Sequence, residues 1–140
     1  IRNFSASLEA NSRMLHLFAR LLETQGDIKK LTKEEKNLAK DAKNYMDRMY
    51  SRDIKIQDVA RILHVHPNYL STLFRREYDQ SPREYLRKVR MNQAKILLTT
   101  TEYSISDIST DVGYTNPFQF SKVFKSCYGI SPTEYRNMRQ

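Results

Sequence analysis

Two short runs carry the side chains from which a recognition surface could be built. The first reads HPNYLSTLFRR from His66 to Arg76, and the second reads TNPFQFSKVFK from Thr115 to Lys125. Asn and Gln carry a donor and an acceptor side by side, Ser and Thr carry adaptable hydroxyls, and Arg and Lys carry positive charge. This is hydrogen-bond and charge chemistry suited to nucleic acid. Asn68 and Gln119 match the N6/N7 edge of adenine, and Ser71 and Thr72 are permissive contacts. The Thr72 methyl suits a thymine methyl, and Lys122 suits guanine or a phosphate. Arg75 and Arg76 lie further along their run and suit phosphates. Asn116 fits a helix cap before Pro117 as well as it fits a nucleic-acid contact, and the amides it precedes are a possible phosphate seat. Tyr69 and Phe118 fit partial packing better than base contact.

Other chemistries find no support. His64 and His66 have no third ligand at metal-binding spacing. Cys127, between Phe124 and Tyr128, reads as a small core residue rather than a nucleophile. No Ser/His/Asp order, glycine-rich phosphate loop or catalytic carboxylate pair occurs. Neither enzymatic activity nor a cofactor is expected. The 24 Lys and Arg against 16 Asp and Glu leave a net charge of +8, which favours a polyanionic partner. The excess is concentrated at residues 51–100, with 10 basic and 5 acidic side chains, whereas residues 101–140 carry 4 of each. No run approaches the roughly 20 apolar residues of a membrane helix. A lone cysteine fits a reducing compartment, and the expected location is the cytoplasm.

The elements that must hold the two runs are announced by a repeat. SPREY at Ser81–Tyr85 returns as SPTEY at Ser131–Tyr135. Ser at the N-cap, Pro at the first helical position and Glu at the third form a capping box, so each copy starts a helix. The likeness extends backwards. Val59 pairs with Ile108, Leu63 with Val112, Val65 with Tyr114, Pro67 with Pro117, Leu70 with Phe120 and Phe74 with Phe124, with one extra residue in the second turn. Each unit reads as a short amphipathic helix, a tight turn and a second helix starting at proline, which is a helix-turn-helix. Ala60 and Ser109 supply the small residue where the helices cross. The turn favours a residue that tolerates positive φ, supplied by Gly113 in the second unit and by His64 in the first. The units are placed at about 55–77 and 105–127. Between them, about residues 82–99 read as one long helix with an apolar stripe of Leu86, Val89, Arg90, Gln93, Ile96 and Leu97, widened by Ala94 and Leu98. Such a spacer would set two reading helices about one duplex turn apart, roughly 34 Å.

These residues resemble the DNA-binding domain of the AraC/XylS family of bacterial transcription regulators. The resemblance covers about residues 38–139 and is densest in AKILLTTTEYSISDISTDVGYTNPFQFSKVFKSCYGISPTEYR. It implies an all-α, seven-helix domain over residues 32–140, with two helix-turn-helix subdomains joined by one long helix. It implies base contacts by Asn68, Ser71, Thr72, Phe118, Gln119, Ser121 and Lys122, an asymmetric promoter site in double-stranded DNA, and activation through RNA polymerase. Ahead of that domain, Leu8, Met14, Leu15, Phe18, Leu21 and Leu22 outline an extra N-terminal helix over about residues 4–25, with a linker to residue 31. It reads equally as the end of a preceding sensor domain that forms a homodimer seam, or as a helix folded onto its own domain. Two other functions compete with specific DNA reading: a protein-interaction module and a nonspecific architectural DNA binder.

Overall fold

The computed structural model describes residues 30–138. The N-terminal helix expected at 4–25 lies outside the described residues. Those from Leu31 onward belong to one compact unit. Among them are seven helices and no strand: α1 (Lys33–Met49), α2 (Ile56–Ile62), α3 (Pro67–Tyr78), α4 (Pro82–Thr100), α5 (Ile105–Asp111), α6 (Pro117–Tyr128) and α7 (Pro132–Asn137). Helices α2 and α3 form the first helix-turn-helix, α5 and α6 the second, and α4 joins them.

Capping boxes set the starts of α1, α4 and α7, the last two being those the repeat predicts. The hydroxyls of Thr32, Ser81 and Ser131 each accept the amide three residues on. Glu35, Glu84 and Glu134 accept the cap residue's own amide at 2.8, 2.8 and 2.7 Å. Bonding to Ser81 and Ser131 holds the Glu84 and Glu134 carboxyls below the usual range. The fifth residue of the repeated motif has a different task. Tyr85 lies 5.5 Å from the Phe74 ring, which in turn lies 4.7 Å from Tyr78. Tyr135, Phe124 and Tyr128 repeat this trio at 5.6 and 4.7 Å. The motif therefore starts a helix and places an aromatic lid on the core of the helix pair just completed.

Each half has its own core. Ala42, Met46, Val59, Ala60, Leu70, Phe74 and Leu86 form the first. Met91, Ala94, Leu98, Ile108, Val112, Phe120 and Phe124 form the second. The repeat thus reaches one helix further back than the sequence likeness does. Helix α1 walls the first core through Ala42 and Met46, as α4 walls the second through Ala94 and Leu98. Even a lysine recurs: Lys43 sits 5.4 Å from the Tyr85 ring and Lys95 sits 6.0 Å from the Tyr135 ring.

Both interhelix turns close in one way. His64 and Gly113 take left-handed φ values of 56° and 87°. The amides of His64 and Val65 reach the Arg61 and Ala60 carbonyls at 3.1 and 3.0 Å; those of Gly113 and Tyr114 reach Thr110 and Ser109 at 3.0 and 2.9 Å. This is a Schellman closure, which satisfies the helix-end carbonyls while reversing the chain. Ala60 and Ser109 are fully buried at the crossings, and the Ser109 hydroxyl donates to the Tyr114 carbonyl at 3.1 Å.

Two expectations need correction. Ile96 is 51 % exposed, whereas Met91, outside the predicted stripe, is buried. Helix α4 serves two cores in succession, so its buried face follows Leu86, Arg90, Met91, Ala94 and Leu98 rather than one stripe. Cys127 is exposed, because the α6 face that meets the core is carried by Phe120 and Phe124.

Arg90 ties the halves together. It is only 9 % exposed, and its Nε and Nη2 donate to the carbonyls of Tyr50 and Arg52, beyond the end of α1, at 2.9 and 2.8 Å. The same guanidinium lies 5.4 Å from the ring of Tyr114, in the second turn. Burial lowers the Arg90 pKa and raises that of Tyr114. Gly113 lies against this bridge: a Cβ there would collide with the Tyr50 carbonyl and stand 3.0 Å from the guanidinium. Gly129, also left-handed at φ 80°, has open space around it. Gly113→Ala is therefore expected to lose at least about 3 kcal/mol in urea unfolding, from strain and collision together. Gly129→Ala is expected to lose about 1 kcal/mol, from strain alone. Equal losses would mean that close approach to Arg90 and Tyr50 does not matter.

Candidate nucleic-acid interface

In each half the second helix of the pair buries one face and presents the opposite one to solvent. Helix α3 buries Leu70, Leu73 and Phe74. At 100° per residue, Asn68, Thr72 and Arg75 lie on the far side, and all are exposed; Arg76 is exposed beside them and Ser71 is half-buried at the edge. Helix α6 buries Phe120 and Phe124. Its far side carries Phe118, Lys122 and Lys125, with Gln119 exposed on one flank and Ser121 half-buried on the other. The predicted residues thus form two outward faces, one per half.

The helix starts refine the individual roles. The Asn116 Oδ1 accepts the amides of Phe118 and Gln119 at 2.9 and 3.2 Å. Since Pro117 has no N–H, the phosphate seat considered there is already filled by the protein's own cap. In the first half His66 takes this part, its Nδ1 accepting the Asn68 amide at 3.2 Å. The Thr72 hydroxyl donates to the Asn68 carbonyl at 3.0 Å, leaving its methyl and lone pairs for a partner. The Tyr69 hydroxyl donates to Glu35 on α1 at 3.3 Å, so this ring leans back onto the domain. Phe118 does the opposite and is 83 % exposed.

Between the two halves, bounded by the starts of α2 and α4 on one side and by the second turn and α6 on the other, lies an open cleft of about 930 Å³. Gln119 and Thr115 line it from the second half, and Lys55, Arg83 and Arg87 from the starts of α2 and α4. All three cations are exposed. Arg75 and Arg87 both lie near enough to Glu84 to favour its charged form, which puts the cations of α3 and α4 in one neighbourhood. Sequence patterning did not single out Arg83 and Arg87. The only trace was the excess of basic residues in the middle of the chain. Among the described residues no His, Cys, Asp and Glu cluster could hold a metal ion, and no helix is long and apolar enough to cross a membrane.

Comparison with known proteins identifies the arrangement. A family model described as a helix-turn-helix domain matches residues 59–138. The C-terminal domain of AraT, a response regulator from Geobacillus stearothermophilus, is 36 % identical with a TM-score of 0.72, covering 74 % of this chain and 86 % of that one. The chain belongs to the AraC family of transcription regulators. The lactose operon transcription activator of Staphylococcus xylosus is 40 % identical over 96 residues, which are 69 % of this chain and 34 % of that protein. The chain spans less than half the length of the curated AraC-family relatives it matches. The DNA-binding domain of AdpA, solved in complex with a target DNA, shares the fold with a TM-score of 0.68 at 21 % identity, covering 71 % of this chain and 90 % of that one.

The cap geometry separates Asn116 from its neighbours on the site. Asn116→Ala should lower stability by about 1 kcal/mol through loss of the cap and leave the salt dependence of DNA binding unchanged. Lys122→Ala should do the reverse if its ammonium meets a phosphate. Thermal melts and binding titrations at several salt concentrations measure both. A reduced salt slope for Asn116→Ala at unchanged stability would overturn the assignment of this residue as a cap.

Proposed function

We propose that this chain is the sequence-reading part of a cytoplasmic transcription regulator, and that it activates transcription by binding an asymmetric promoter site. Helices α3 and α6 enter two successive major grooves on one face of the duplex. The observation that carries this reading is the pair of solvent-facing polar surfaces on α3 and α6, held in one body by α4. At about 1.5 Å per residue the 19 residues of α4 span roughly 28 Å, comparable with the 34 Å of a duplex turn. Asn68, Ser71 and Thr72 read the first segment; Phe118, Gln119, Ser121 and Lys122 read the second. Arg75 and Arg76 hold phosphates, joined by Arg83 and Arg87, because two successive major grooves are separated by backbone that must pass the cleft between the halves. No catalytic role is proposed. Contact with RNA polymerase and dimerisation through residues 1–31 complete the proposal, in keeping with the activator named among the relatives.

Selection from a pool of random duplexes at near-physiological salt tests the reading directly. Two short, non-palindromic motifs about 10 base pairs apart are expected. Binding without enrichment, lost as salt rises, would mean an architectural DNA binder; no binding at all would favour a protein-interaction module. On the selected duplex, Arg75→Ala and Arg87→Ala should each reduce the salt slope by about 1 and weaken matched and mismatched sites alike. Asn68→Ala and Gln119→Ala should each relax preference at one base pair, by about 1–3 kcal/mol. Equal losses on matched and mismatched duplexes would remove the last two from base reading.

A further inference from the structure

The two heads are related by the internal repeat, and the residues at matching positions of α3 and α6 can be compared directly. The second residue of α3 is Asn68 and the second residue of α6 is Phe118. Both are exposed, at the end of the helix where reading residues sit. One offers an amide and the other a bare aromatic ring. At 83 % exposure, Phe118 is the most exposed large hydrophobic residue among those described. It belongs to neither hydrophobic core, and it points away from the buried face of α6 into a surface otherwise made of Lys122, Lys125 and Gln119. Its backbone amide is held by Asn116, which fixes the start of the helix and hence the direction of the ring.

A single exposed aromatic needs no explanation on an arbitrary surface. This one sits at a reading position, flanked by cations that suit a polyanion. The major groove presents donors and acceptors on every base pair but only one apolar group, the C5-methyl of thymine. Phe118 has nothing to offer a donor or an acceptor. We propose that Phe118 reads a thymine through its C5-methyl group, so that the matching positions of the two heads use different chemistry: an amide against adenine at Asn68 and an apolar contact against thymine at Phe118. The proposal rests on the DNA-reading function above and specifies how one position of the site is recognised.

The test removes the methyl group and leaves the rest of the base pair in place. In the duplex enriched by the wild-type chain, each thymine is replaced in turn by deoxyuridine. One replacement within the second half-site should weaken wild-type binding about fourfold, as expected for losing the burial of one methyl group. With Phe118→Ala, the thymine and uracil duplexes should bind equally, both more weakly than the thymine duplex binds wild type. Replacements in the first half-site should have the same effect on both proteins. Because Phe118 packs in neither core, Phe118→Ala should melt at the wild-type temperature; the scan on the wild-type chain also stands without any variant. A second half-site with no methyl-sensitive thymine overturns the proposal, as does a sensitivity that persists in Phe118→Ala. A pool that yields no enriched duplex overturns the sequence-reading function itself, and this proposal with it.

Discussion

The guanidinium of Arg90 holds two otherwise separate cores in one orientation. Each half of the domain buries its own set of apolar side chains, and dispersion and burial within a core say nothing about where the other core must lie. The bonds from Arg90 to the carbonyls of Tyr50 and Arg52 are directional, and they anchor α4 against the end of α1. Its stacking against Tyr114 carries the same constraint into the second turn. Gly113 lets the backbone come close enough for this to happen. Removing the cation would take its donor from the Tyr50 carbonyl, a cost of about 1–3 kcal/mol, while the Arg52 carbonyl would keep the Ile54 amide at 2.7 Å. A helix surface designed only for burial would have used an aliphatic residue here. The arginine fixes geometry, and geometry between reading heads is what recognition of two separated DNA segments requires.

Within each half the logic is local and repeated. A helix supplies the wall (α1, then α4), a helix-turn-helix closes on a fully buried small residue, and the next capping box starts a helix that lays a tyrosine over the core. Helix α4 performs both tasks in turn: its start is the lid of the first half and its end is the wall of the second. That double use explains why its buried face rotates along its length, and why a single apolar stripe fails to describe it.

The halves differ where function would need them to differ. The turn of the first is closed by His64 and that of the second by Gly113, with one extra residue before α6. The cap of α3 is an imidazole and that of α6 an amide. The cations cluster around α3 and the start of α4, whereas the last forty residues are neutral. On the proposed function, two heads that differ in charge and in the chemistry of their exposed side chains suit an asymmetric site better than two equal ones.

Much of this was legible in the residues themselves. Capping boxes, proline at the first helical position, small residues at the crossings and a left-handed histidine are short-range requirements, so each is written within a few positions of where it acts. The repeat then located both outward faces. Tertiary structure alone decided the rest. It showed that Arg90 in a mostly apolar stripe is a bridge, that Met91 and not Ile96 faces the core, that Cys127 is exposed, and that Arg83 and Arg87 share a cleft with Gln119. Each of these depends on partners some thirty to forty positions away, or on which side of a helix a second body occupies. Local periodicity cannot carry that information, because the same stripe is compatible with more than one placement of the neighbouring core.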